Sequence, residues 1–129
     1  MWLARRCLAL SALFLLASSG CGNKPKLVHV SGKVTHKDKG LTAGSIYFHP
    51  AEGNAYQGEK PSSLLQTDGS FDMRSYPHGQ GVPPGKYKVT LSPELANRIG
   101  RPDYGKVEKT TLSIEVPDAG VKDHVFEVK

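Results

Sequence analysis

Between Thr67 and Leu91 the chain alternates apolar and polar residues in short runs, and each run is cut by glycine or proline. Thr67-Asp68-Gly69 is a tight reversal, and Ser70-Phe71-Asp72-Met73 alternates behind it. A loop rich in Gly, Pro and His follows, and Pro84-Gly85 leads into a second alternating run, Lys86-Tyr87-Lys88-Val89-Thr90-Leu91. Alternation with period two sends successive side chains to opposite faces, which specifies a strand with one face buried. A chain built this way is committed to short strands joined by turns. It shows no heptad and no repeat of solenoid type.

The same signature extends in both directions. Leu27–Thr35 alternates with Val28, Val30 and Val34 on one side. Gly32 shares that side and marks a bulge or a close backbone approach. A turn is predicted over His36–Gly40, then a strand over Ser45–His49 with Ile46 and Phe48 inward and Tyr47 outward, ended by Pro50. Ala51–Ser62 is polar and without period, which predicts a long exposed loop. Leu64–Thr67 reads as a short strand entering a hairpin at Asp68-Gly69. Ser92-Pro93 opens a helical turn over about residues 93–99, with Ser92 as N-cap, and Gly100 and Pro102 end it. Arg101–Lys109 has no period. Thr111–Val116 and His124–Val128 are the last strands, separated by the turn Pro117–Gly120. About seven short strands at regular spacing predict an all-β fold, an antiparallel Greek-key sandwich. The 14 Gly and 9 Pro fall mostly between the apolar runs, where they act as turn residues.

The first 20 residues read differently. Arg5-Arg6 is a positive n-region, Leu8–Ala17 an almost unbroken apolar stretch, and Ser18-Ser19-Gly20 a small-residue junction before Cys21. About a dozen apolar residues fall short of the roughly 20 that a spanning helix needs. This predicts a cleaved signal peptide over residues 1–20, a tether over 21–26 and one domain over 27–129. Cys7 lies in the segment removed with the signal peptide, just before the apolar stretch, so cleavage would leave Cys21 alone and no intramolecular disulfide. Removing Arg5 and Arg6 leaves 15 basic against 12 acidic residues, a net of +3. The lysines are scattered, without the concentrated basic face that nucleic-acid binding requires.

Ser18-Ser19-Gly20-Cys21 resembles the lipobox of bacterial lipoproteins, although Ser18 stands where that pattern usually has Leu. The resemblance implies lipidation of Cys21 by a diacylglyceryl group and an N-acyl chain such as palmitate, and hence a membrane partner. Several acyl chains anchor stably where one does not. Gly22, rather than Asp, follows the cysteine, which by analogy with enterobacterial lipoproteins implies the outer membrane. The alternative is a secreted protein cut near Cys21 that keeps a free thiol.

Val30-Ser31-Gly32-Lys33-Val34-Thr35, Gly44-Ser45-Ile46-Tyr47-Phe48-His49-Pro50, Thr67-Asp68-Gly69-Ser70-Phe71 and Gly79–Thr90 resemble the carboxypeptidase regulatory-like domain, a member of the transthyretin-like (prealbumin-like) β-sandwiches. The closing part of this pattern is similar to versions found in small bacterial lipoproteins. The matching residues are turn and core positions, so the resemblance implies the fold and leaves function to specific sites. One enzymatic branch of the group hydrolyses 5-hydroxyisourate and ends in Tyr-Arg-Gly-Ser. Here the chain ends Val125-Phe126-Glu127-Val128-Lys129, without that motif.

No catalytic constellation is legible. The histidines at 29, 36, 49, 78 and 124 have no metal-ligand spacing, and no G-x-S-x-G or phosphate-binding glycine loop occurs. The expectation is a non-enzymatic binding or structural module without cofactor or metal, whose partner is an envelope protein or polymer. Recognition is expected in the loops 51–62 and 75–84, because loops on a rigid scaffold carry most binding. Tyr56, Gln57, Tyr76, His78 and Gln80 are the candidate binding residues. Carbohydrate binding through exposed tyrosines is the alternative, although the only Trp, Trp2, falls in the signal segment.

Overall fold

The alternating runs become strands, and they stack as two sheets with the apolar faces inward. The computed structural model describes residues 24–129; the signal segment 1–20 and Cys21 lie outside the described residues. The strands are β1 (Val30–His36), β2 (Lys39–Gly40), β3 (Ser45–Pro50), β4 (Ser62–Leu64), β5 (Ser70–Asp72), β6 (Arg74–Ser75), β7 (Gly79–Gln80), β8 (Gly85–Leu91), β9 (Ser113–Val116) and β10 (Val121–Val128). A short helix α1 (Pro93–Arg98) and a 3-10 turn (Pro102–Gly105) lie between β8 and β9. In one sheet β1 pairs with β10, β2 and β5; the other runs β7-β6-β4-β3-β8-β9. The all-β sandwich expected from the pattern is the observed fold. Six of the strands correspond to the predicted runs, and β4 meets the predicted run 64–67 only at Leu64. The other three, β2, β6 and β7, have two residues each, too short for a period to register.

Every strand pair is antiparallel but one. β1 and β10 run parallel, a departure from the all-antiparallel expectation. The chain enters at the start of β1 and returns to the same end through the turn after β9, so its first and last strands point the same way. Their register slips: Val30 faces Val121, but Gly32 faces His124. β10 therefore carries an extra residue, and Asp123 within it adopts a left-handed φ of 56°. One inserted residue exchanges the two faces of a strand. Here it turns Phe126 and Val128 into the core and leaves Val125 57% exposed. Gly32 sits where the slip occurs, in contact with the β10 backbone, so its predicted close approach is observed.

The core joins the two sheets through aromatic rings. Phe48 of β3 and Tyr87 of β8 meet Phe71 of β5 and Phe126 of β10, with Phe48 touching all three others at centroid distances of 5.7–6.5 Å. Val30, Val34, Ile46, Val89, Leu91 and Val116 fill the layer around them. Each fully buried side chain of this size stabilises the fold by about 1.5–3 kcal/mol. Tyr87 is buried, and its hydroxyl donates to the Pro83 carbonyl at 2.6 Å. Burial pushes its pKa up to about 12 against a smaller opposing effect of the Asn54 hydrogen bond.

Three turns differ in detail from the sequence reading. β4 ends at Leu64 rather than beginning there, because Leu65 is buried and its N–H donates to the Gly44 carbonyl at 2.9 Å. Leu64 then faces outward, 71% exposed. The Asp68-Gly69 reversal is tight, closed by Gly69 N–H to the Gln66 carbonyl at 2.9 Å. It carries the chain between sheets rather than closing a hairpin, since β4 and β5 belong to different sheets. Ser92 precedes α1 as expected but makes no cap bond; its hydroxyl accepts the Ser45 N–H at 3.2 Å. α1 ends as predicted at Gly100, where φ is 73° and the N–H groups of Gly100 and Arg101 bond the Asn97 and Ala96 carbonyls.

Candidate functional site

The segment after β3 is exposed over most of its length, as its composition predicts, and it is also organised. Asn54 is buried and holds it at both ends. Its Nδ2 donates to the Lys86 carbonyl at 2.8 Å, and its Oδ1 accepts the Tyr56 N–H at 2.9 Å. Gln57 closes the turn by donating to the Asn54 carbonyl at 2.8 Å. The Tyr56 hydroxyl donates to the Glu59 carbonyl, and the ring packs against the core while covering Gly58. Burial, and then the Glu59 charge, hold the Tyr56 phenol above its ordinary pKa. A polar stretch stays folded here because its polar groups satisfy one another.

The second loop is pinned as firmly. β6 and β7 form a small hairpin, with Ser75 opposite Gly79 and Arg74 opposite Gln80. The buried Ser75 hydroxyl donates to the Gly81 carbonyl at 2.7 Å. Val82 then pairs with Val28 through two hydrogen bonds of 2.8 and 2.9 Å. This bridge stitches the loop to the incoming chain just after Pro25 and Lys26.

The two loops converge beside that entry point. A hollow of about 390 Å³ opens there, lined by Tyr56, Gln57 and His78, with Pro25, Lys26, Pro83 and Pro84 among its other walls. Three of the five candidate loop residues are thus brought together from positions about 20 residues apart. Tyr76 is not among them; it projects from its loop, 77% exposed. Gln80 lies elsewhere too, donating to Asp72 Oδ2 at 2.8 Å, while Asp72 Oδ1 faces His29 Nε2 at 3.3 Å. Pro25 and Lys26 escaped the sequence reading, because no local pattern links a tether to a distant loop, whereas Pro83 and Pro84 end the expected loop 75–84. The Gly53-Asn54 pair was the available sign of a tight turn.

Two of the other histidines are engaged structurally. His49 Nε2 meets Thr90 Oγ1 at 2.7 Å, and its pKa is lowered by burial and then by Lys60. His124 packs edge-on against Phe126 at 4.5 Å, and burial lowers its pKa as well. Among the described residues no three His, Cys, Asp or Glu side chains group to hold a metal, and no helix is long and apolar enough to cross a membrane. Compared with protein-family models, with curated proteins and with solved structures, the chain gives no match.

Asn54 is the residue on which the hollow depends. Asn54→Ala leaves the Tyr56 N–H without its partner and the Lys86 carbonyl with the Ala51 N–H alone, and an orphaned polar group costs about 1–3 kcal/mol. The expected result is a less stable domain with a mobile Tyr56 loop, read as faster amide exchange confined to residues 52–60. Unchanged exchange there would show that the loop holds itself.

Proposed function

We propose that the chain is a non-enzymatic bacterial lipoprotein, lipidated on Cys21, whose β-sandwich is a binding or structural module at the cell envelope. The observation that carries this reading is the position of the hollow. The two loops expected to carry recognition meet beside Pro25 and Lys26, where the tether enters. From Gly22 to Lys26 the tether spans at most about 17 Å at roughly 3.3 Å per residue, so an anchored domain holds this hollow close to the bilayer. A partner there is an envelope protein or polymer reached near the membrane, by the analogy of Gly22 the outer one. The signal segment, the junction at Cys21 and the absence of a catalytic motif in the sequence support the same reading.

Metabolic labelling with a fatty acid tests the anchor. Wild type is expected to carry label and to fractionate with membranes, and Cys21→Ala to lose both. An unlabelled wild-type chain would refute lipidation. Cross-linking from a photoreactive residue at position 57 in intact cells tests the module, the expected product being a discrete adduct absent from a chain altered at His78.

Carbohydrate binding is favoured by a separate observation, the 77% exposure of Tyr76 on the loop adjoining the Tyr56 hollow. Exposed rings stack on sugars through their faces. A glycan array on the full chain, repeated with Tyr76→Ala and Tyr56→Ala, separates the two readings: a signal lost in either variant favours sugar, and an empty array favours the protein partner.

A further inference from the structure

A second hollow, of about 340 Å³, lies at the other end of the sandwich. Its walls are the turn after α1, the segment before β9 and the end of β10. β1 begins next to the Val28–Val82 bridge and runs seven residues, roughly 20 Å at about 3.3 Å each, to His36, whose Nδ1 meets the Val128 carbonyl at 3.0 Å. Lys129 follows directly. This hollow is therefore at the pole away from the tether, where an anchored domain would present it outward, although the site does not depend on the anchor.

Three cationic residues, Arg101, Lys109 and Lys129, line it, together with Asp103, Tyr104 and Thr111. Their backbones are fixed. Arg101 is held by the bond that closes α1 and by its carbonyl accepting the Tyr104 N–H at 3.1 Å. Lys109 follows a turn bonded to the Lys106 carbonyl, and the Lys129 N–H donates to the Tyr104 hydroxyl at 3.3 Å. That hydroxyl also lies 3.5 Å from Thr111 Oγ1, a pair in which either hydroxyl can donate. The three cationic side chains have no ion-pair partner among the described residues. Arg98, one turn earlier, is by contrast committed to the Thr42 and Ala43 carbonyls.

We infer that this hollow binds a small acidic saccharide, a sugar ring carrying a carboxylate or a phosphate. The cations outnumber Asp103 and attract a negative group. Asp103 would repel a bare inorganic anion but accepts hydrogen bonds from hydroxyls, and the Tyr104 hydroxyl, whose Thr111 contact is long, can donate one. Cations, a carboxylate acceptor and a phenol donor in one hollow match a ligand that is both charged and polyhydroxylated. Its volume is at the lower end of the roughly 300–1,000 Å³ range of small-molecule sites, so one ring fits better than a chain of them.

Amide spectra of the isotopically labelled full chain, purified in a neutral detergent, provide the test. Galacturonate, galactose 6-phosphate, galactose and inorganic phosphate are titrated in turn at low salt. At least one acidic sugar is expected to shift the amides of Arg101, Tyr104, Thr111 and Lys129, and the tighter of the two identifies the anionic group. Added salt should weaken binding. Arg101→Gln with Lys109→Gln should weaken it about tenfold or more, and Lys129→Gln provides an independent check. Asp103→Asn should weaken the acidic sugar while strengthening inorganic phosphate. The inference is overturned if neither acidic sugar moves these amides at about 10 mM. It also fails if galactose or inorganic phosphate moves them as strongly, or if the charge-neutral variants, with spectra otherwise unchanged, bind as wild type does.

Discussion

Gly32→Ala is expected to lower stability by about 4 kcal/mol or more, a large part of the roughly 5–15 kcal/mol that holds a domain folded. An alanine Cβ at this position would lie 1.8 Å from the His124 carbonyl oxygen and within 2.9 Å of its carbon and nitrogen. All three are backbone atoms of the paired strand, so no rotamer change relieves the clash. The two strands must separate where the β10 register slips, and the inward placement of Phe126 depends on that slip. Gly53→Ala is the control, since φ there is +88° but nothing lies within 4 Å. Its cost should be only the backbone penalty of about 1 kcal/mol. Thermal unfolding distinguishes them: Gly53→Ala should lose about 4–8 °C and Gly32→Ala several times that. Similar losses for the two variants would mean that β1 and β10 can part at little cost.

Phe48→Ala is expected to cost about 3–5 kcal/mol. The ring is fully buried and touches Tyr87 in its own sheet and Phe71 and Phe126 in the other. Its removal leaves a cavity at the one point where four aromatic side chains lock the sheets together. Phe48→Leu keeps most of the volume and should cost less than half as much. Equilibrium urea unfolding, with the slope compared as well as the midpoint, is the measurement. Equal losses from alanine and leucine would show that ring-to-ring geometry, rather than filled volume, supplies the stability.

Phe48 also illustrates what was legible in advance. Its place between Tyr47 and His49 in an alternating run made it an inward residue, and the same logic placed Val28, Val30, Val34 and Ile46 on buried faces. The pattern was silent on organisation where a segment lacked a period. The loop after β3 is largely exposed as its polarity predicts, yet Asn54 is buried within it with both its amide nitrogen and oxygen hydrogen-bonded. Polarity records a need for hydrogen bonds and not where they are made. The candidate site was legible only as separate loops: Tyr56, Gln57 and His78 were named singly, and Tyr76 and Gln80 with them, but only the first three share a wall.

The sequence by itself determined the all-β class, six of the strands, the turn residues between them and most of the core. Those properties are local: which way a side chain points depends on its neighbours one and two positions away. Only the tertiary structure decided that the first and last strands run parallel, that β10 carries an extra residue, and that Pro25, Tyr56 and His78 surround one hollow while Arg101, Lys109 and Lys129 surround another. Pairing and convergence depend on which distant segments bury one another's apolar faces at least cost, and a period read along the chain holds no information about a partner across it.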